Sequence, residues 1–80
     1  MKVTVVCFGA MREYLPEPAS GRADIELAPG GTVRSVVGAL GAPERLLHSV
    51  LVDGLRVELD HVVTDGAEVT LMPPFAGGSN

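Results

Sequence analysis

The sequence predicts an α+β fold: one small domain with a mixed sheet of four to five strands and one main helix packed across it. Three observations carry this reading. Short β-branched runs recur between turn signals, and a single segment has the apolar spacing of a helix. The composition is that of a globular chain, with 46% apolar and 20% charged residues in 80, and no low-complexity tract interrupts it. Phe8, Tyr14 and Phe75 are the only aromatics, so the core must be built from Val, Leu, Ile and Ala.

Lys2 to Phe8 (KVTVVCF) is β-branched, bounded by Gly9 and apolar at nearly every position. It reads as a central strand covered over most of its length. Ala10 to Leu15 allows one helical turn before Pro16 and Pro18 break it. Ala23 to Ala28 alternates and reads as a half-buried second strand, joined to the first by a long Pro- and Gly-rich connection. Pro29-Gly30-Gly31 is a turn, and Thr32 then stands as a helix N-cap. Val33, Val36, Val37 and Leu40 fall at i, i+3, i+4 and i+7, which is one helix face. Gly41 caps the C-terminus and Pro43 stops continuation. Gly38 and the valines are poor helix formers, so packing on the sheet must hold this helix. Ser49 to Asp53 is a third strand, with Asp53-Gly54 as a hairpin turn. Arg56 to Leu59 is a short fourth strand. Asp65-Gly66 is another turn, leading into Glu68 to Met72 as the last strand. Two strands, a helix, then more strands make an α+β roll. This order with these lengths is the β-grasp, the ubiquitin-like arrangement.

The composition excludes several function classes. Net charge is −4, with Lys2 the sole lysine, so the clustered cations that bind nucleic acid are missing. A basic protein partner suits this surface better. One cysteine, Cys7, cannot make an intrachain disulfide, a zinc site or an iron–sulfur cluster. In an apolar strand it is expected to be a small buried hydrophobe rather than a sulfur relay. His48 and His61 have no partner at metal-ligand spacing, and His61 is expected to be exposed. No apolar run approaches the roughly 20 residues that span a bilayer. No signal peptide is visible, so the expected location is the cytoplasm, with no membrane partner.

The domain is expected to occupy residues 1–72, and 73–80 an extended tail carrying Gly77-Gly78. Pro73-Pro74 cannot donate ladder hydrogen bonds, so the last strand must stop before them, and two prolines favour a stiff exit. Six extended residues from Pro73 to Gly78 reach about 20 Å, and Ala76-Gly77-Gly78 has little bulk. Such a tail suits insertion into another protein's active site. A terminal glycine carboxylate has no Cβ to obstruct attack at its carbonyl carbon. A free carboxylate is a poor acyl donor and needs activation, for example by ATP to an acyl-adenylate that then accepts sulfur. The carrier itself needs no bound cofactor, triad or metal. Gly-Gly alone also fits a frayed terminus; the β-grasp pattern and the Pro-Pro brake move the balance to function. Phe75, between Pro74 and small residues, has little core to enter. With Pro74 it is expected to anchor in a partner pocket, packing back on its own sheet being the alternative.

The stretch from Asp60 to Val69 (DHVVTDGAEV), running into Met72-Pro73-Pro74-Phe75-Ala76-Gly77-Gly78, resembles the small subunit of molybdopterin synthase and its thiazole-synthesis sulfur-carrier relatives. Phe8-Gly9-Ala10-Met11-Arg12-Glu13 is similar to that family's start, and the resemblance covers essentially the whole chain. The Pro-Pro-x-x-Gly-Gly ending favours the molybdopterin branch. The resemblance implies a non-enzymatic sulfur carrier, adenylated at Gly78 by a ubiquitin-activating-type enzyme that uses ATP, and then thiocarboxylated. It implies docking on the large catalytic subunit of molybdopterin synthase, or on another sulfur acceptor enzyme. Gly78 would be the acyl carbon, Gly77 and Ala76 would let the tail thread, and Arg12 and Glu13 would contact partners. A solvated loop pair is the alternative for those two.

Two departures stand out. Ala67 replaces the second acidic residue of the family's Asp-Gly-Asp turn. Ser79-Asn80 follows Gly-Gly, so Gly78 carries a peptide bond and has no carboxylate to activate. Removal by a processing peptidase is the leading account; an expression remnant and a degenerate paralogue are the others. Rival functions are sulfur transfer to thiazole, cysteine or specialised metabolites, a protein modifier joined to lysines, and a β-grasp interaction module that never forms an acyl intermediate.

Overall fold

A computed structural model describes residues 1–74. Its elements are β1 (Lys2–Cys7), β2 (Arg22–Glu26), α1 (Val33–Leu40), β3 (Ser49–Val52), β4 (Leu55–Val57) and β5 (Glu68–Met72), with short 3-10 turns at Gly9–Tyr14, Pro18–Ser20 and Glu44–Leu46. The expected α+β roll, a β-grasp, is what forms. The sheet has five strands in the order β2-β1-β5-β3-β4. β1 and β5 run parallel, and the other neighbours are antiparallel.

Alternation along each strand divides the sheet into two faces. Val3, Val5 and Cys7 of β1, Val50 and Val52 of β3, and Val69 and Leu71 of β5 face the core with Val33, Val36 and Val37 of α1. Thr4, Val6, Leu51, Thr70 and Met72 fall on the other face and are only half-buried. β1 was expected to be covered over most of its length; its core side is buried and its far side is partly open. Val6 is apolar and half-buried on that side, so only Lys2 of the strand is exposed, as the expectation of a mostly covered central strand requires.

Helix α1 is held at both ends as well as by packing. Thr32 Oγ1 accepts from the Ser35 backbone N–H at 3.3 Å, and Ser35 Oγ accepts from the Thr32 N–H at 3.1 Å. The N–H groups of Val33 and Arg34 donate to the carbonyls of His61 and Leu59 at 3.0 and 2.8 Å. The first turn thus has partners for its donors. Gly41 ends the helix in the left-handed region at φ 74°, where a side chain would be strained.

Boundaries differ from the sequence reading by one or two residues. β2 runs from Arg22 to Glu26 rather than 23–28, because Arg22 pairs with Val6 and the Cys7 N–H donates to the Gly21 carbonyl at 2.9 Å. β4 starts at Leu55, one residue early, because the turn at Asp53 (φ 51°) and Gly54 (φ 87°) is tight enough to set Leu55 opposite Val52. The Asp53 carboxylate offsets that strained backbone by accepting from the Glu68 N–H at 3.0 Å. At the far end of the sheet, Asp65 Oδ1 accepts from the Lys2 N–H at 2.8 Å, which gives the Asp65-Gly66 turn a structural task.

Candidate functional site at the root of the tail

β5 lies at the centre of the sheet, so the chain leaves the body between β1 and β3. The last ladder contacts are the Phe8 N–H to the Leu71 carbonyl at 3.3 Å, and the His48 N–H to the Met72 carbonyl at 2.8 Å. β5 ends at Met72, immediately before Pro73 as the missing N–H requires. Pro73 is nonetheless buried, and Pro74 is exposed. The Pro73 ring rests on Gly9, which has φ +56°, and a Cβ built on Gly9 would lie 3.0 Å from Pro73 Cγ.

The open face beside this root has an ordered composition. Register places Arg22, Val6, Thr70, Leu51 and Arg56 in one row across all five strands. Toward the tail, this row is followed by Met72, half-buried, and by Phe8, which is 46% exposed. Away from the tail come Asp24, Thr4 and Glu68. Thr4 Oγ1 donates to Asp24 Oδ1 at 2.8 Å, and Arg22 reaches Glu68 at 3.5 Å. The tail-proximal half therefore sets Val6, Leu51 and Met72 around Thr70 between two arginines, and the distal half is acidic. An arrangement of this kind can dock a partner in one orientation, with the tail pointing into it.

Arg12 and Glu13 sit exposed on the 3-10 turn after β1. Arg12 has a definite task there: its Nε donates to the Pro18 carbonyl at 3.0 Å and its Nη2 to the Ala19 carbonyl at 2.8 Å. It braces the loop that closes back on β1. A shallow depression of about 300 Å³, lined by Val6, Phe8, Gly9, Arg12, Ser20 and Arg22 among others, lies between the end of β1 and this loop. Cys7 is 2% exposed, and burial pushes its thiol up to about 11, the behaviour of a packed hydrophobe. His48 and His61 are exposed. Among the described residues no group of three or more His, Cys, Asp or Glu is placed to hold a metal. No helix of the described residues is long and apolar enough to cross a membrane.

Of the residues expected to carry function, Pro74 leads away from the root, and Arg12 and Glu13 lie near it on the β1 side. Phe75, Ala76, Gly77 and Gly78, together with Ser79-Asn80, lie outside the described residues. Sequence reasoning missed Phe8 and Gly9 as parts of the site. Phe8 read as the end of a strand and Gly9 as its boundary; the signal available was a glycine directly after an exposed aromatic. Ala67, noted as a departure, is 3% exposed, so an acidic side chain would lose hydration there.

Comparison with known proteins agrees with this geometry. The family model described as Mut7-C ubiquitin matches residues 1–78. No curated protein matches the chain. Among solved structures, small archaeal modifier protein 1 of Haloferax volcanii superposes with TM-score 0.71 at 22% identity, covering 92% of this chain and 98% of that one. A proposed molybdopterin converting factor subunit 1 of Pyrococcus furiosus gives 0.71 at 24% identity, covering 94% and 99%. A complex of subunits 1 and 2 of molybdopterin-converting factor from Helicobacter pylori gives 0.62 at 21% identity, covering 98% and 100%. The resemblance to ubiquitin-like carriers read from the sequence is borne out in family and fold.

Proposed function

The chain belongs to the Mut7-C ubiquitin family, and on that premise we propose that it is a sulfur carrier loaded at Gly78. The observation that carries this reading is the placement of the tail root. The chain leaves from the central strand, beside the row Val6, Thr70 and Leu51 flanked by Arg22 and Arg56, and the family match runs through Gly78. Hydrolysis of the Gly78–Ser79 peptide bond would release Ser-Asn and leave a glycine carboxylate. A carboxylate oxygen then attacks the α-phosphate of ATP on an adenylating enzyme, and pyrophosphate leaves. A sulfur nucleophile attacks the acyl carbon, AMP leaves, and a thiocarboxylate remains. In this sequence of steps the chain supplies the acyl group and the docking surface, and its partners supply the catalysis.

The preferred destination of the sulfur is molybdopterin synthesis, with the chain docked on a large catalytic subunit. The Pro-Pro-x-x-Gly-Gly ending supports this, as does the fold shared with molybdopterin converting factor subunits. The likeness to a small archaeal modifier protein favours a second reading, in which the activated Gly78 is joined to lysines.

Intact-mass measurement tests the proposal after incubation with activating enzyme, ATP and sulfide. The chain ending at Gly78 should gain the mass difference of oxygen replaced by sulfur, and the full chain should not. No gain on the Gly78-ended chain would overturn the carrier reading. Gain on the full chain with Ser79 and Asn80 retained would overturn processing. Amide adducts on lysine-bearing proteins would select the modifier reading.

A further inference from the structure

We propose that Gly9 is a positioning residue for the tail: its missing Cβ leaves a seat for the Pro73 ring, and that seat aims the chain as it leaves the sheet. This deepens the carrier reading and rests on it for its catalytic consequence, though not for its geometry.

Pro73 lies past the last strand residue and has no N–H to anchor it, yet it is buried. What it meets is Gly9, whose Cβ would stand 3.0 Å from Pro73 Cγ and 3.9 Å from Cδ. Gly41, at φ +74°, differs in kind: a Cβ there would meet nothing within 4 Å. At Gly21, φ +72°, the nearest atom would be an ordinary 3.7 Å away. Gly9 thus answers to its neighbour as well as to its own backbone.

The backbone on both sides of the contact is held by its neighbours. Gly9 is fixed by the Phe8 N–H on Leu71, by the Met11 N–H on the Phe8 carbonyl at 3.1 Å, and by Met11 at 0% exposure in the core. Arg12 ties the same turn to the Pro18 and Ala19 carbonyls. On the other side, the Met72 carbonyl is held by the His48 N–H, and the proline ring fixes its own φ. A Cβ on Gly9 would press on the Pro73 ring, which must give by a few tenths of an ångström. Pro74 follows directly, so a displacement of the ring changes the direction in which the chain leaves the sheet.

The test uses the full chain with Ala76→Cys carrying a nitroxide; Cys7, in the core, does not compete for the label. Paramagnetic broadening maps where the tail points. Gly9→Ala should move the broadened patch, whereas Gly41→Ala, at a left-handed glycine whose Cβ would meet nothing within 4 Å, should not. Pro73→Ala empties the same seat without touching the Gly9 backbone and should also move it. An unmoved patch in either folded seat variant overturns the proposal, and so does an equal shift in Gly41→Ala. In the unlabelled Gly78-ended chain, Gly9→Ala should lower kcat for thiocarboxylate formation roughly tenfold or more with KM little changed, because the docking row is intact. A changed KM at constant kcat overturns the aiming role. If the parent Gly78-ended chain is never loaded, the carrier reading falls, and the broadening patterns still decide the seat.

Discussion

Cys7 shows how burial alone sets a residue's chemistry. Its thiol is pushed from an ordinary value of 9.0 up to about 11 by desolvation, because the core disfavours the thiolate. The folded state therefore holds the proton more tightly than the unfolded chain. The stabilisation is fully present below pH 9 and is lost as pH rises from 9 to 11, amounting to roughly 2–3 kcal/mol. Denaturant melts should show wild type losing stability over that interval faster than Cys7→Ala, with parallel curves below pH 8. Arg12 is the contrasting case. Its fork on the Pro18 and Ala19 carbonyls should make Arg12→Ala cost about 1 kcal/mol, with Arg12→Lys recovering little of it, as urea midpoints would record. Burial of Cys7 was legible in the sequence because its neighbours along the strand are apolar. The task of Arg12 was not, since its acceptors are carbonyls whose direction depends on the path of a loop without a periodic pattern.

At the scale of elements, α1 tests how far local signals reach. Its eight residues include Gly38 and a valine-rich face, so propensity alone would not hold it. Thr32 and Ser35 close a reciprocal cap, and Thr32→Ala should cost about 1 kcal/mol, with Thr32→Asp retaining much of it by thermal melting. Thr32, Gly41 and the spacing of Val33, Val36 and Val37 announced this helix correctly. The reciprocal partner did not stand out, because a serine at the third position does not look like the usual glutamate. Strand ends were less legible than strand existence. They are set by pairing, and the pairing of Arg22 with Val6 and of Leu55 with Val52 is a long-range or turn-geometry matter. The central place of β1 and its cover over most of its length were legible, but nothing local tells which side of a strand a helix will cover.

For the whole molecule, the row Val6, Thr70 and Leu51 between Arg22 and Arg56 is the surface on which the proposed docking is tested. Leu51→Glu places a charge in that row, on the side away from α1. It should raise the KM for loading of the Gly78-ended chain at least tenfold, about 1.4 kcal/mol of binding, and shift the melting temperature by only a few degrees. Calorimetry on the free variant separates the two effects. The β-grasp order was readable from the succession of strands and helix, but strand neighbours were not, because sequence order does not say that the last strand inserts at the centre. That insertion governs how the sheet forms. β5 joins β1 on one side and β3 on the other, so the first and last of the described strands are direct neighbours. Until β5 pairs, the β1–β2 and β3–β4 hairpins have nothing to bridge them. Folding then waits on a non-local contact. A chain stopped at Ala67 should remain unfolded by circular dichroism. The strand that leads into the tail is thus the one that closes the sheet, so the root of the tail takes its place only when both halves of the sheet have joined.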